Sequence, residues 1–445
     1  MKCIARFLPF LVSGALAAGC ADTRLSGPLS TALSLDKTAN NGKGSCGDST
    51  TNRNRNAPVH LLCVITVPGK PILSGTKSWV DGDRYYLTDL SNARVDIIDA
   101  WTNMYLDSVP GFVGSTGNAA TSGPNSIVFT GDGHAWVSDG ISAVRVVDLS
   151  SKSFVTVPTA IAACDGGTAT THFCQRTNEI TYDPEDQVIF VQNPSPLDTA
   201  AGHGAIDTYA TFISAVPPYT VLGHITFANR RGQEAPLWDH ELHRILSAVS
   251  GRTVTSGTPP VTTIFHQYIA VINPTTMQME NQYVLDCHEL VGTAPGALFG
   301  INDPALGTAQ RLVVPGCGHA ILMDARTGAA VALTQIGGGN ETWYNPGDGR
   351  FYVTGIDSTR TPPVNSLGVI DAEASTFLQG VPAVQATNPA AFAGNNHIFA
   401  VVTVTAAQVT NPATDNSACS VFGVKGRGCI AVFGHVGNAA DAMSQ

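Results

Sequence analysis

One pattern constrains this chain more than any other. A short apolar strand ending in an acidic or turn residue returns roughly every 50 residues. It reads RVDIID up to Asp99, VRVVD up to Asp148, YIAVIN up to Asn273, AILMD up to Asp324 and LGVID up to Asp371. ATFISA at Ser214 and CIAVFG at Phe433 are weaker copies, which brings the count to seven. A second signal has the same period: an aromatic residue opens a strand, a tight turn follows, and an apolar strand comes next. SIVFTGDGHAWVSD, EITYDPEDQVIFVQN, APLWDHELHRILSAV, ETWYNPGDGRFYVTG and PAAFAGNNHIFAVV all carry it, and SWVDGDRYYLTD is a shortened copy. About two periods separate Trp238 from Tyr344, and RLVVPG at 311–316 supplies the intervening copy.

Short β-rich strands at this period predict an all-β fold, a seven-bladed β-propeller of four-stranded antiparallel blades. A ring of six or eight blades is the alternative, because blade five is the least regular. HLLCVITV at 60–67 precedes the first full copy, and the last copy has no outer strand of its own. The N-terminal strand is therefore expected to complete the last blade and close the ring, removing the sheet edges on which such chains aggregate.

Outside the repeats, residues 1–20 read as an export signal. Lys2 and Arg6 precede an apolar stretch from Phe7 to Gly19, too short to span a bilayer, that ends in Leu16-Ala17-Ala18-Gly19-Cys20. Small residues before a cysteine resemble a bacterial lipoprotein cleavage site, which implies a lipid on Cys20 and, with Ala21 after it, delivery to the outer membrane, facing the periplasm or the surface. Ordinary cleavage near Ala18 is the alternative. Residues 21–57 are polar and read as a flexible tether, 58–436 as the propeller and 437–445 as a tail.

The net charge of −10 becomes −12 once Lys2 and Arg6 leave, and no basic run occurs, which argues against a nucleic-acid partner. Setting aside Cys3 and Cys20, eight cysteines fall into near neighbours: Cys46 and Cys63, Cys164 and Cys174, Cys287 and Cys317, Cys419 and Cys429. An even count in an exported chain reads as disulfides, and no C-x-x-C supports thiolate metal binding.

Aligning the aromatic openings brings out one register. Glu234 lies four residues before Trp238, and Asn125, Asn178, Asn340 and Asn388 lie four before Phe129, Tyr182, Tyr344 and Phe392. On the inner strands of a propeller such a register forms a ring around the central channel. Oxygen donors converging on an axis suit a hard divalent cation, Ca²⁺ first. A water-filled channel, or Asn side chains that merely close turns, are the alternatives. Glu179 and Glu341 follow the ring residues; alternation turns them away from the axis unless the chain bends at the strand mouth, where either could serve as general base. His319, opening a strand beside Cys317, is a further general-base candidate. No G-x-S-x-G or H-E-x-x-H occurs.

QEAPLWD resembles the E-G-P-x-W-D opening of the gluconolactonase and senescence-marker-protein (regucalcin) family, and PNSIVFTGDGHAWVSD is similar to that family's P-N-G-x-x-F-x-x-D-G segment. The resemblance implies a propeller with an axial divalent metal, held here by Glu234, Asn125 and Asn178 and further by Asn340 and Asn388, and a lactonase or esterase activity on a small molecule. This sequence departs from the family in placing its glutamate in the fourth blade and no aspartate at the register. The chain is equally similar to YVTN-type surface propellers, which implies a non-catalytic binding or assembly role with a surface ligand; lyases and isomerases on the same fold are a third possibility. A monomer is expected. The loops 159–177 and 196–210 are expected to form the mouth.

Replacing Cys20 by Ala should move the protein from the membrane to the soluble fraction on ultracentrifugation. Unchanged membrane association of the variant would refute lipidation at this cysteine.

Overall fold

The computed structural model describes residues 56–161, 175–193, 207–230, 232–294, 296, 298 and 300–436. The leader, Cys20, almost all of the tether and the tail lie outside the described residues, as do Cys46, Cys164 and Cys174 and most of the two mouth loops.

The chain forms a seven-bladed β-propeller, each blade an antiparallel sheet whose strands follow one another outward from the axis. The inner strands are Gly75–Asp81, Ser126–Phe129, Ile180–Asp183, Gln233–Asp239, Ala305–Leu306, Thr342–Asn345 and Ala386–Phe392. Blade four carries an extra hairpin, Arg252–Ser256 with Val261–Phe265, between its second and third strands. Blade seven lacks an outer strand of its own, and Val59–Ile65 supplies it by pairing with Cys429–His435. His435 fastens this closure. Its Nδ1 lies 2.8 Å from the carbonyl of Ala57 and its Nε2 lies 2.9 Å from Asp348 of blade six, with all three buried.

The strand-ending acids that reveal the repeat have a local cause. Asp99 accepts hydrogen bonds from the backbone N–H groups of Trp101 and Thr102, Asp148 from Ser150 and Ser151, and Asp324 from Arg326 and Thr327. Asn273 and Asp371 do the same for Thr276 and Ala374. Each side chain thus closes the turn that leads to the outer strand. The acids ending inner strands repeat the device, Asp183 and Asp239 each capping the next turn.

Second and third strands are apolar on both faces, because each face packs on a neighbouring blade. Val188–Asn193 is buried throughout, whereas the outer strand Val221–Thr226 alternates with solvent. Between blades three and four, Phe190 and Phe212 pack on Ile245, Val249 and Ile272. Blade five opens at Ala305–Leu306, not at 311–316, which is its second strand. That opening has Leu306 where five of the other blades place an aromatic, and the preceding turn takes its place in the ring through Asn302 and Asp303.

Two disulfides are described, Cys287–Cys317 and Cys419–Cys429, and Cys63 is disulfide-bonded as well. The second closes a short excursion in blade seven, where Thr405 and Gln408 cap the helix Ala406–Thr410 reciprocally. Replacing both Cys419 and Cys429 by Ala should cost about 2–3 kcal/mol from the chain entropy of so short a loop. Urea unfolding checks it; no loss of midpoint would mean that the unfolded chain gains nothing from the cut.

Candidate functional site

A cavity of about 320 Å³ lies where the inner strands begin. Every blade but the second lines it. Glu179, Glu234, Asp303 and Glu341 supply carboxylates, Asn178, Asn302, Asn340 and Asn388 supply amides, and Arg176 supplies a guanidinium.

The asparagines owe their register to the ring itself. The Asn178 amide nitrogen donates to the carbonyl of Gln233 at 3.1 Å, reaching from blade three to blade four. Asn125 reaches Thr177 at 3.0 Å, Asn302 reaches Gly339 at 2.5 Å, and Asn388 reaches Thr76 at 2.7 Å. Each clasps the following blade at the start of its inner strand or just before it. Because the acceptors are carbonyls, nitrogen must be the donor end and the amide oxygen is left over. For Asn388 that oxygen is buried with no partner. The clasp between blades and the ring of oxygens are thus two ends of the same side chain.

One residue further along each strand lies a charged layer. The ammonium of Lys77, from blade one, sits 2.9 Å from Asp303, 3.4 Å from Glu179 and 3.5 Å from Glu341. All four residues are buried, and the three carboxylates offer oxygens within 4.8 Å of one another. The second oxygen of Asp303 accepts from the backbone N–H of Ala235 at 2.8 Å, so this side chain is tied on both sides. Burial alone would lower the Lys77 pKa, but Asp303, Glu179 and Glu341 outweigh it and hold the ammonium charged well above its ordinary range. Burial pushes Glu179 up to about 7 against the pull of Lys77. It raises Glu341 well above the usual carboxylate range, with Asp303 and Glu179 adding to the shift.

Glu234 stands nearer the mouth, half-buried, accepting from the Asn178 amide at 3.2 Å. Burial first, then the charges of Asp303 and Glu179, push its pKa up to about 8, with Arg176 working in the opposite sense. The chamber therefore sets four carboxylates against two cations, Arg176 and Lys77.

The ring anticipated from the sequence is brought together only in part. Glu234, Asn178, Asn340 and Asn388 line the cavity. Asn125 does not: it is buried behind the wall, donating to Ser122 and Thr177 and accepting a long hydrogen bond of 3.4 Å from Arg176. Glu179 and Glu341 do line the cavity, contrary to simple alternation, because both precede the regular strand. The same layer in blade four begins at an irregularity between Glu234 and Leu237. His319 pairs with Gly316 at a hairpin of blade five and does not line the cavity. Lys77, Asp303, Asn302 and Arg176 escaped the sequence reading. The signal for this layer in the sequence is an Asn-acid pair at 178–179, 302–303 and 340–341; aromatic spacing does not mark it in blade five, which has Leu306 at the aromatic position.

No protein-family model and no curated protein matches the sequence. Among solved structures, 1289 chains resemble it. A chain in the crystal structure of the mitotic checkpoint complex is similar over 94% of this chain and 100% of its own length, with a TM-score of 0.52 and 12% identity. At that identity the likeness extends to the propeller fold alone.

Replacing Lys77 by Met should destabilise the protein by about 3–5 kcal/mol near pH 8, since it strands three buried carboxylates. The loss should shrink toward pH 5, where Glu179 and Glu341, with their raised pKa values, take up protons. Denaturant titrations at both pH values check it; an equal loss at both would mean that Lys77 acts by packing alone.

Proposed function

We propose that the axial chamber binds a divalent cation of the calcium type and that the protein uses it on a small carbonyl substrate, an ester or lactone. The observation that carries this reading is the donor set: four carboxylates and four amide side chains converge on one cavity, with Arg176 and Lys77 as the cations beside them. Its lining contains no histidine or cysteine, and an all-oxygen donor set suits Ca²⁺ better than Zn²⁺. Lys77 already fills the space among Glu179, Asp303 and Glu341, so Glu234, Asn178 and the free amide oxygens on the mouth side are the residues that would hold the ion.

A bound Ca²⁺ would polarise the substrate carbonyl and stabilise the oxyanion that forms from it. Arg176, at the rim, would orient the carbonyl or a carboxylate beside it. Glu179, with a pKa of about 7, is matched to take a proton from water near neutral pH. Glu341 would hold its own proton and limit the charge of the layer. A second reading, a non-catalytic binding propeller at the cell surface, is favoured by Lys77 itself, since an internal ammonium already neutralises part of the acid cluster. The disulfides support an oxidising compartment in either case. The leader and Cys20 support export with a lipid anchor, and no described helix is long and apolar enough to cross a membrane.

Calorimetric titration with Ca²⁺ tests the reading. Wild type should bind one ion, and Glu234→Gln should lose at least tenfold in affinity while its circular dichroism is unchanged. No heat from wild type, or equal affinities, would leave the non-catalytic reading.

The pH dependence has a defined sign. Without the ion, Glu234 keeps its proton up to about pH 8, whereas in the unfolded chain it is lost near 4.5. Its contribution to stability is therefore full below 4.5 and is lost as pH rises to 8. Ca²⁺ should release a proton on binding at pH 7 and raise the melting temperature more at pH 8.5 than at pH 6. Equal stabilisation at both, measured by scanning calorimetry, would remove Glu234 from the ligand set.

A further inference from the structure

The charged layer at the centre of the ring holds an amine against a carboxyl group in a place that water hardly reaches. The ammonium of Lys77 donates to one oxygen of Asp303 at 2.9 Å. One C–O bond, about 1.2 Å, separates that oxygen from the carboxyl carbon, so Nζ lies at most about 4.1 Å from Cγ. Both residues are fixed by their backbones. The N–H of Lys77 donates to Thr88 Oγ1 at 2.7 Å. The N–H of Asp303 donates to the carbonyl of Asn340 at 3.0 Å, and its own carbonyl accepts from Thr342 at 3.1 Å. Lys77 is 6% exposed and Asp303 5%. An amine and a carboxyl group so held meet without the entropy cost of a bimolecular encounter.

Three neighbours set this contact apart from a lone buried ion pair. The oxygen of Asp303 that Lys77 leaves free accepts from the backbone N–H of Ala235 at 2.8 Å. That donor is a fixed dipole for the negative charge that develops when nitrogen adds to the carbon. Glu179 lies 3.4 Å from Lys77 Nζ, within reach of its protons. Glu341 lies 3.5 Å from the same nitrogen, and its backbone pairs in parallel with that of Asp303. Oxygens of the three carboxylates lie within 4.8 Å of one another, so a proton has a short path among them.

We propose that Lys77 and Asp303 condense into an internal isopeptide bond, a covalent strut between blades one and five. Glu179 takes a proton from Nζ, and the freed amine attacks Cγ of Asp303 to form the N–C bond. The nitrogen gives up a second proton, the Cγ–Oδ2 bond breaks, and Oδ2 leaves as water with both protons, relayed by Glu179 and Glu341. Ammonium and carboxylate become amide and water; the two glutamates end as they began, and nothing is oxidised or reduced. The ion pair is the state before this step. Burial favours the product, because two charges that are costly to keep from water give way to one neutral amide. The bond forms whether or not the mouth of the channel holds a cation, since neither Glu234 nor Asn178 takes part.

The test is the intact mass of the full chain, purified in EDTA, then denatured and reduced. Wild type should be about 18 Da, one water, lighter than the Lys77→Arg chain once the substitution is allowed for. Trypsin should leave wild type uncut after Lys77 and release one branched peptide that contains both Lys77 and Asp303. Glu341→Gln keeps the shape but removes the relay, and most of that chain should keep the full mass. Should either variant fail to fold by circular dichroism, the branched peptide of wild type decides alone. Equal corrected masses for wild type and Lys77→Arg, or cleavage after Lys77 with no branched peptide, would overturn the inference. Cross-linking of Glu341→Gln as complete as that of wild type would overturn the part assigned to Glu341.

Discussion

The interaction on which the centre of this propeller depends is the one between the ammonium of Lys77 and the carboxylates of Asp303, Glu179 and Glu341. These residues come from blades one, five, three and six, so a single cation ties together strands that are far apart in sequence and on opposite sides of the channel. Such a cluster is not a source of net stability in itself, since burying four charges costs roughly what their attraction returns. What it supplies is specificity: each carboxylate has one place where its charge is answered, and any slip of one blade against the next would strand it.

The asparagine clasps act on the same joints by a different route. Four of the seven blades hand one amide hydrogen bond to the next blade where the inner strand begins. Asn178 to Gln233, Asn302 to Gly339 and Asn388 to Thr76 show the same hand-over at three joints, the last of them across the point where the ring closes. The oxygen that remains after the nitrogen is used is what lends the upper chamber its donors. Structural need and binding capacity are therefore not competing explanations of the register.

The axis is divided into layers of unlike chemistry. Amides and Glu234 lie at one mouth, the Lys77 cluster in the middle, and aromatic rings at the other end. Because inner strands all begin at one end, a position counted from the start of the strand is also a depth along the channel. The aromatic residues that reveal the repeat in the sequence thus belong to one layer, and the asparagines four residues earlier to another.

Periodicity alone was enough to determine the fold. Strand-ending acids such as Asp99, Asp148 and Asp324 close local turns, so their spacing survives in the linear chain, and the missing outer strand of the last copy implied closure by the N-terminal strand. Local chemistry likewise placed Asn178, Glu234 and Asn388 at one level. What only the tertiary structure decided is which neighbours meet across the axis. Lys77 reads as an ordinary strand lysine in GTKSWV, and Asp303 as a turn acid in INDPAL, until the ring brings them within 2.9 Å. Asn125 fits the pattern yet falls behind the wall, and Glu179 and Glu341 turn inward, because the strands are irregular just where they begin. Contacts within a blade follow from sequence spacing; contacts across a closed ring depend on the angle at which each blade is set, which no local pattern carries.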